Sequence, residues 1–414
     1  MDHLPASAPA HSARASAATI HRLKAPARAK AVLLALLSIE GGAIDMTMPT
    51  GETLRFGDDD RAPIAMRVKD YRFANRVLKN GDIGFAEAWM AHEWETSDLS
   101  ALLTLFANNI ERFKRVFEGG FFGKAMNWLR HLSRDNTREG SRRNIYEHYD
   151  LGNRFYEAWL DPSMTYSSAR FDATVSDLEA GQRAKYKALA EHLDLKPGDH
   201  VLEIGCGWGG FAEFAAREYG ARVTGITISQ EQMAYAKARM ERAGLSDRVD
   251  IRIQDYRDVE GQFDKVASIE MFEAVGERHW ATYFGKIADV LKPGGRAALQ
   301  IITIKHDLFD AYRKRADFIQ RYVFPGGMLA SVERLKEETA NAGLAWRKVE
   351  AFGQSYAVTL AEWSRRFEAK WQDIRALGFD ERFKQLWLFY LSYCEAGFRT
   401  GRTDVVQLEL AKPA

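Results

Sequence analysis

Between residues 200 and 303 the chain repeats one pattern, a short apolar run followed by a longer stretch with helical spacing. The runs at 200–204, 221–226, 249–253, 264–269 and 296–303 read as strands. Strands alternating with helices predict a parallel sheet covered on both faces, a doubly wound α/β layout that we extend over residues 146–414. The N-terminal side has a different rhythm. Ile44, Met46 and Met48 alternate with polar residues, Pro49-Thr50-Gly51 turns the chain, and Leu54 and Phe56 follow, which predicts a hairpin. Helical spacing then runs through Trp89, Met90, Trp94, Leu102, Leu103 and Leu105, so residues 31–125 are expected to form a smaller α+β domain.

Charge alters this picture only locally. The 414 residues carry 58 Lys+Arg against 57 Asp+Glu, so bulk charge recruits neither nucleic acid nor membrane. Residues 1–30, rich in Ala, Ser and Pro, hold Arg14, Arg22, Lys24, Arg28 and Lys30 against Asp2 alone. They read as a disordered basic tail and lack the apolar core of a secretion signal. Residues 111–145 hold nine Lys/Arg and four acids, with Phe113, Phe117, Phe121, Phe122 and Trp128 interleaved. That mixture suits an anionic membrane surface, with Arg142 and Arg143 among the headgroup contacts. It equally suits a basic linker over 126–145 whose aromatics pack onto a neighbouring domain. Two cysteines exclude a disulfide scaffold and suit a reducing cytoplasm. His148, His279 and His306 show no metal-ligand spacing, so no metal is expected. The longest apolar run, 31–37, falls well short of the roughly 20 residues of a spanning helix.

The most informative segment is Val201-Leu-Glu-Ile-Gly-Cys-Gly-Trp-Gly-Gly210, a buried strand entering a glycine-dense turn before a helix that opens at Phe211. Gly205, Gly207 and Gly209 let a ligand approach the backbone, and the helix start offers unpaired N–H groups. The spacing from Glu203 through Gly209 is not the G-x-G-x-x-G of a dinucleotide site, and the second strand lacks the terminal acid that would hold an NAD ribose. An acid does follow the third strand, in Gln254-Asp255-Tyr256, where a carboxylate can accept from an adenine amino group and a ring can stack on the base. With Leu291-Lys-Pro-Gly-Gly295 before the fifth strand, the segment resembles class I S-adenosylmethionine-dependent methyltransferases.

Further motifs narrow the resemblance. His148-Tyr-Asp-Leu-Gly-Asn153, Trp159-Leu-Asp-Pro-Ser-Met-Thr-Tyr-Ser167, Ile269-Glu-Met-Phe-Glu-Ala-Val-Gly276, Tyr322-Val-Phe-Pro-Gly-Gly327, Phe352-Gly-Gln-Ser-Tyr-Ala-Val-Thr-Leu360 and Cys394-Glu-Ala-Gly-Phe-Arg-Thr-Gly401 occur in order. Together they resemble the cyclopropane-fatty-acyl-phospholipid synthase family from about residue 140 onward. The resemblance implies a Rossmann-like methyltransferase sheet with helical insertions, acting on a cis double bond in a phospholipid acyl chain. It implies a cytoplasmic enzyme, peripheral on the inner face of the membrane, with phospholipid acyl chains as partners and a homodimer as a candidate assembly. Tyr166, Ser167, Glu203, the loop 205–209, Thr227, Gln232, Asp255 and Tyr256 would hold S-adenosylmethionine.

The family's bicarbonate site uses Cys, Glu, His and Tyr. Glu273 and Tyr356 match, but Ser168 stands at the Cys position and Gln300 at the His position. Both replacements can donate to an anion, yet neither titrates near neutrality, so bicarbonate would bind weakly or be absent. Without a well-placed base the chain cation has another exit, a methylated, ring-free product, which stands beside cyclopropane formation as the alternative. Cys394 matches a cysteine treated as an active-site residue in the family; on a helix it reads more naturally as packing. Two other classes share the core: a small-molecule N-methyltransferase, and a non-catalytic lipid binder suggested by Ser168 and Gln300.

Overall fold

A computed structural model describes residues 12–58, 60–118, 151–175 and 177–414. The chain divides into two compact units, the first comprising residues up to 140 together with 379–400, the second residues 141–378 and 401–414.

The first unit is built on a five-stranded sheet of β1 (Ala13–Arg14), β2 (Ala43–Thr47), β3 (Thr53–Gly57), β4 (Pro63–Val68) and β5 (Trp94–Thr96), in the order β1-β3-β2-β4-β5. The expected hairpin is β2 against β3, with Ile44 opposite Phe56 and Met46 opposite Leu54, all four buried. Two expectations are corrected here. Residues 12–30 are not a disordered tail: β1 pairs with β3, and helices Ala17–Arg22 and Ala27–Leu36 follow. A capping box between Ser16 and Thr19 starts the first helix, and Ile20, Leu23 and Ala29 are buried, which a composition rich in Ala and Ser conceals. The second correction concerns residues 379–400, expected in the C-terminal domain. Helix Glu381–Arg399 belongs to the first unit, where it packs on helices Asp82–Met90 and Leu99–Glu118. The Trp89 indole N–H donates to the Gln385 carbonyl at 3.0 Å, and the Ser100 hydroxyl donates to Glu395 at 2.7 Å. Residues 1–11 and the basic linker 126–145 lie outside the described residues, as does most of the aromatic stretch from 111 to 145.

The second unit holds a seven-stranded sheet: β6 (His200–Ile204), β7 (Arg222–Thr227), β8 (Val249–Ile253), β9 (Phe263–Ile269), β10 (Leu291–Ile304), β11 (Ala345–Ala351) and β12 (Thr403–Ala411). The order is β11-β12-β10-β9-β6-β7-β8. Strands β6 to β10 are parallel, as the alternating pattern predicts, while β12 runs antiparallel between β10 and β11. Helices Leu178–Leu193, Gly210–Tyr219, Gln230–Arg242 and Trp280–Val290 bury apolar faces in the core around the sheet. From β6 the chain moves outward to β7 and β8, then returns to the other side of β6 as β9. The crevice beyond the carboxyl ends of β6 and β9 is therefore the topological switch point, where open α/β sheets bind ligands.

Candidate active site

The glycine loop leaves β6 at this switch point. Its first turn is pinned by the Gly205 and Cys206 N–H groups, which both donate to the Ile226 carbonyl at 3.0 and 2.9 Å. Gly205 and Gly207 have φ of 80° and 52°, conformations that side chains strain to adopt. No atom lies within 4 Å of where a Cβ would stand on Gly207, so that backbone is open to a ligand. Helix Gly210–Tyr219 then presents its N-terminus. Beneath it Glu203, buried at the end of β6, takes a backbone hydrogen bond from Ala212, while its Oε2 has no partner among the described residues. Burial pushes the Glu203 carboxyl up to about 8, against the pull of Arg239 and Lys185.

The other expected cofactor residues line the same edge. Thr227 ends β7 and donates its hydroxyl to Gln232 at 2.8 Å. Asp255 follows β8; its Oδ1 accepts the Arg257 N–H at 2.9 Å and its Oδ2 accepts Arg257 Nη2 at 2.6 Å. These bonds hold the carboxyl below its ordinary value and leave it an acceptor. Tyr256 beside it packs edge-on to Tyr283. Ser167 is fixed from behind, its hydroxyl accepting from Lys185 Nζ at 2.7 Å and its carbonyl from Gln182 at 2.9 Å. An open glycine cradle, a helix start and acceptors at the ends of β7 and β8 fit a nucleoside bearing a charged amino acid.

Next to this crevice the structure gathers Ser168, Gln300 and Tyr356, but around Glu270 rather than Glu273. Glu270 Oε1 accepts the Ser168 backbone N–H at 2.8 Å and Gln300 Nε2 at 2.7 Å; Oε2 accepts the Tyr356 hydroxyl at 2.6 Å. The Ser168 hydroxyl, expected to face an anion, donates instead to the Ala169 carbonyl at 2.8 Å. Gln300 is oriented by Gln407, whose amide donates to Gln300 Oε1 at 3.0 Å from the paired position on β12. Glu270 has φ 49°, one of the few non-glycine residues in the left-handed region. Burial raises its pKa, opposed by Tyr356, Gln300, the Lys185 ammonium and Ser168. Sequence reasoning passed over Glu270; the available signal was a second acid three residues before Glu273, just beyond the fourth strand of the expected sheet.

Glu273 makes a different set of bonds. Its Oε1 accepts the Ile302 N–H at 2.5 Å, and Oε2 has no partner among the described residues. Burial, then repulsion from Glu270, pushes its carboxyl up to about 8. Burial and the neighbouring Glu270 charge both favour the protonated form of Glu273. An unfolded glutamic acid ionises near 4.5, so folding stability is lost as pH rises from the unfolded towards the folded value. Glu273→Gln removes that loss. Its stability relative to the parent should rise steadily between pH 5 and 8 in denaturant melts, and a constant difference would contradict the assignment.

Cys394 lies on helix Glu381–Arg399, part of the first unit.

Aromatic rings complete the site. Tyr166 stands 5.3 Å from Tyr156, 5.7 Å from Trp159 and 5.2 Å from Trp363, centroid to centroid. Trp363 is in turn 6.1 Å from Tyr356, the ring bonded to Glu270. Such faces stabilise positive charge without attacking it. The arrangement can hold a cationic donor, shelter a cation formed on a substrate and receive a proton.

Residues 136–408 match the family model described as mycolic acid cyclopropane synthetase. The chain is similar to the tuberculostearic acid methyltransferase UfaA1 of Mycobacterium tuberculosis, 38% identical over 369 residues, 86% of this chain and 84% of that one. It is similar to the cyclopropane-fatty-acyl-phospholipid synthase of Escherichia coli strain K12, 37% identical over 363 residues, 85% of this chain and 88% of that one. Among solved structures, the mycolic acid cyclopropane synthase CmaA1 complexed with SAH and CTAB superposes with a TM-score of 0.62 at 28% identity, covering 65% of this chain and 97% of that one.

Proposed function

The chain belongs to the mycolic acid cyclopropane synthetase family, and from that premise we propose that it methylates a cis double bond in an acyl chain of a membrane phospholipid and closes the added carbon into a cyclopropane ring. It is an S-adenosylmethionine-dependent methyltransferase of the cyclopropane synthase type. Bound S-adenosylmethionine supplies an electrophilic methyl group to the alkene, leaving positive charge on the neighbouring chain carbon. In this reading Gly205, Gly207, Gly209, Thr227, Gln232, Asp255, Tyr256, Tyr166 and Ser167 hold the cofactor, with Glu203 beneath the loop.

The observation that supports the reading best is the junction of an aromatic cluster with a hydrogen-bonded carboxylate. An alkene is a weak nucleophile and has to be held in line with the methyl in a dry site. Tyr166, Trp159 and Trp363 supply faces for the cation, while Tyr356, Gln300 and Ser168 orient the carboxylate that receives the proton. Glu273, bonded to the Ile302 N–H, acts as a positioning residue.

Drawing about ten CH2 units of an acyl chain through water would cost about 8 kcal/mol. Access from a membrane surface avoids that exposure, so we place the enzyme on the inner face. Among the described residues no helix is long and apolar enough to cross a membrane.

The second reading is methylation without ring closure. Ser168 and Gln300 favour it by departing from the family's anion site, and so does the likeness to a tuberculostearic acid methyltransferase. Incubation with methyl-labelled cofactor and monounsaturated phospholipid vesicles, followed by NMR of the isolated fatty ester, separates the two. Upfield ring-proton signals are the expected result. A methyl branch without them would establish the second reading, and no label in lipid would overturn both.

A further inference from the structure

The donors that an external anion would need are already occupied. The Ser168 N–H, Gln300 Nε2 and the Tyr356 hydroxyl all point to the side chain of Glu270. A bicarbonate ion does not fit among them, because the Glu270 carboxylate sits where its oxygens would have to bind. We propose that Glu270 is the base of the reaction, a protein carboxylate in the seat of a dissolved anion, and that the enzyme turns over without bicarbonate. This rests on the acyl-chain methylation reading.

Three features support it. The first is the bonding pattern. A carboxylate offers about four lone-pair sites; two donors fill Oε1, and among the described residues only the Tyr356 hydroxyl reaches Oε2, which leaves room there for a proton. All three partners donate, which suits the ionised form. The second is the counter-charge. Lys185, fully buried, lies close enough to attract Glu270, Asp161 and Glu203, and it touches Ser167. The third is the backbone. At φ 49° the Glu270 side chain is strained where glycine would sit without strain, and such strain persists where surrounding bonds hold it in place for function.

The alkene π pair forms the bond to the methyl carbon as the sulfur–methyl bond breaks, its pair remaining on sulfur. Glu270 Oε2 then takes one proton from that methyl group. The C–H pair closes the ring onto the cationic carbon, and the resulting carboxylic acid loses its proton to water after product leaves.

The test compares the parent enzyme with Glu270→Gln and Glu270→Gly, on vesicles of dioleoyl phosphatidylglycerol and dioleoyl phosphatidylethanolamine in CO2-free buffer with and without sodium bicarbonate. The parent should turn over equally in both. Glu270→Gln should lose about 100-fold or more, as expected for removal of a general base, and bicarbonate should not restore it because the amide still fills the seat. Glu270→Gly relieves the strained backbone and empties the seat, so bicarbonate should restore part of its turnover. Bicarbonate should also raise the melting temperature of Glu270→Gly but not of the parent, a readout that needs no lipid substrate. Calorimetric binding of S-adenosylmethionine by each variant shows that the fold is retained. Turnover of the parent that falls in CO2-free buffer and returns with bicarbonate would overturn the proposal. So would parental turnover in Glu270→Gln. Failure of the parent to methylate lipid under any condition would instead count against the acyl-chain reading.

Discussion

Lys185→Met should move the alkaline-favoured limb of the pH–rate profile upward and cut turnover at pH 7 by more than about tenfold. Lys185 is wholly buried on helix Leu178–Leu193, its ammonium bonded to Ser167 at 2.7 Å. Burial lowers its pKa to about 7, against the pull of Glu270, then Asp161 and Glu203. Glu270 already has a raised pKa, and Lys185 is one of the groups holding it down. Without the ammonium the carboxyl ionises at higher pH, so a smaller share of the base is ionised at neutrality and more of it in alkaline buffer. Losing the buried ammonium also leaves the Ser167 hydroxyl without its donor and the nearby buried carboxyls without a counter-charge, which lowers stability. Rate profiles at constant ionic strength and denaturant melts check both effects. An unmoved limb would mean that Lys185 serves Ser167 alone.

A fragment of residues 146–414 should fail to fold cooperatively. Its boundaries follow the sequence pattern, yet helix Glu381–Arg399 packs on elements from the other end of the chain. Trp387, Phe389, Leu391 and Phe398 on that helix are almost fully buried, and each contributes about 1.5–3 kcal/mol when removed from water. Exposing them together approaches the whole stability of an ordinary domain. The fragment is expected to bind a hydrophobic dye and to melt without a sharp transition. Replacing 379–400 by a flexible linker should restore a cooperative melt. A sharp melt for the unmodified fragment would show that the helix does not depend on the elements before residue 141.

What could be read from the sequence follows the range of the interactions involved. The glycine loop, the hairpin at Met46 and Leu54, and the five parallel strands depend on local period and turn chemistry, and they lie where those patterns place them. Strand β11 does not: most of its residues are exposed, so no apolar alternation marks it. The helices before residue 37 hide in a composition that resembles disorder, because a capping box needs only Ser16 and Thr19. The candidate base was missed for another reason. Its partners lie at 168, 300 and 356, far apart along the chain, and its backbone angle has no signature in a single sequence. A motif resemblance pointed to Glu273, three residues away, whose Oε1 accepts the Ile302 N–H.

The left-handed backbone at Glu270 has an evolutionary corollary. Glycine and glutamate codons can differ by a single base, and at this torsion angle the smaller residue would be the more comfortable one. One nucleotide could therefore exchange a chain that must borrow inorganic carbon from its surroundings for one whose chemistry proceeds regardless of how much carbon dioxide the cell holds.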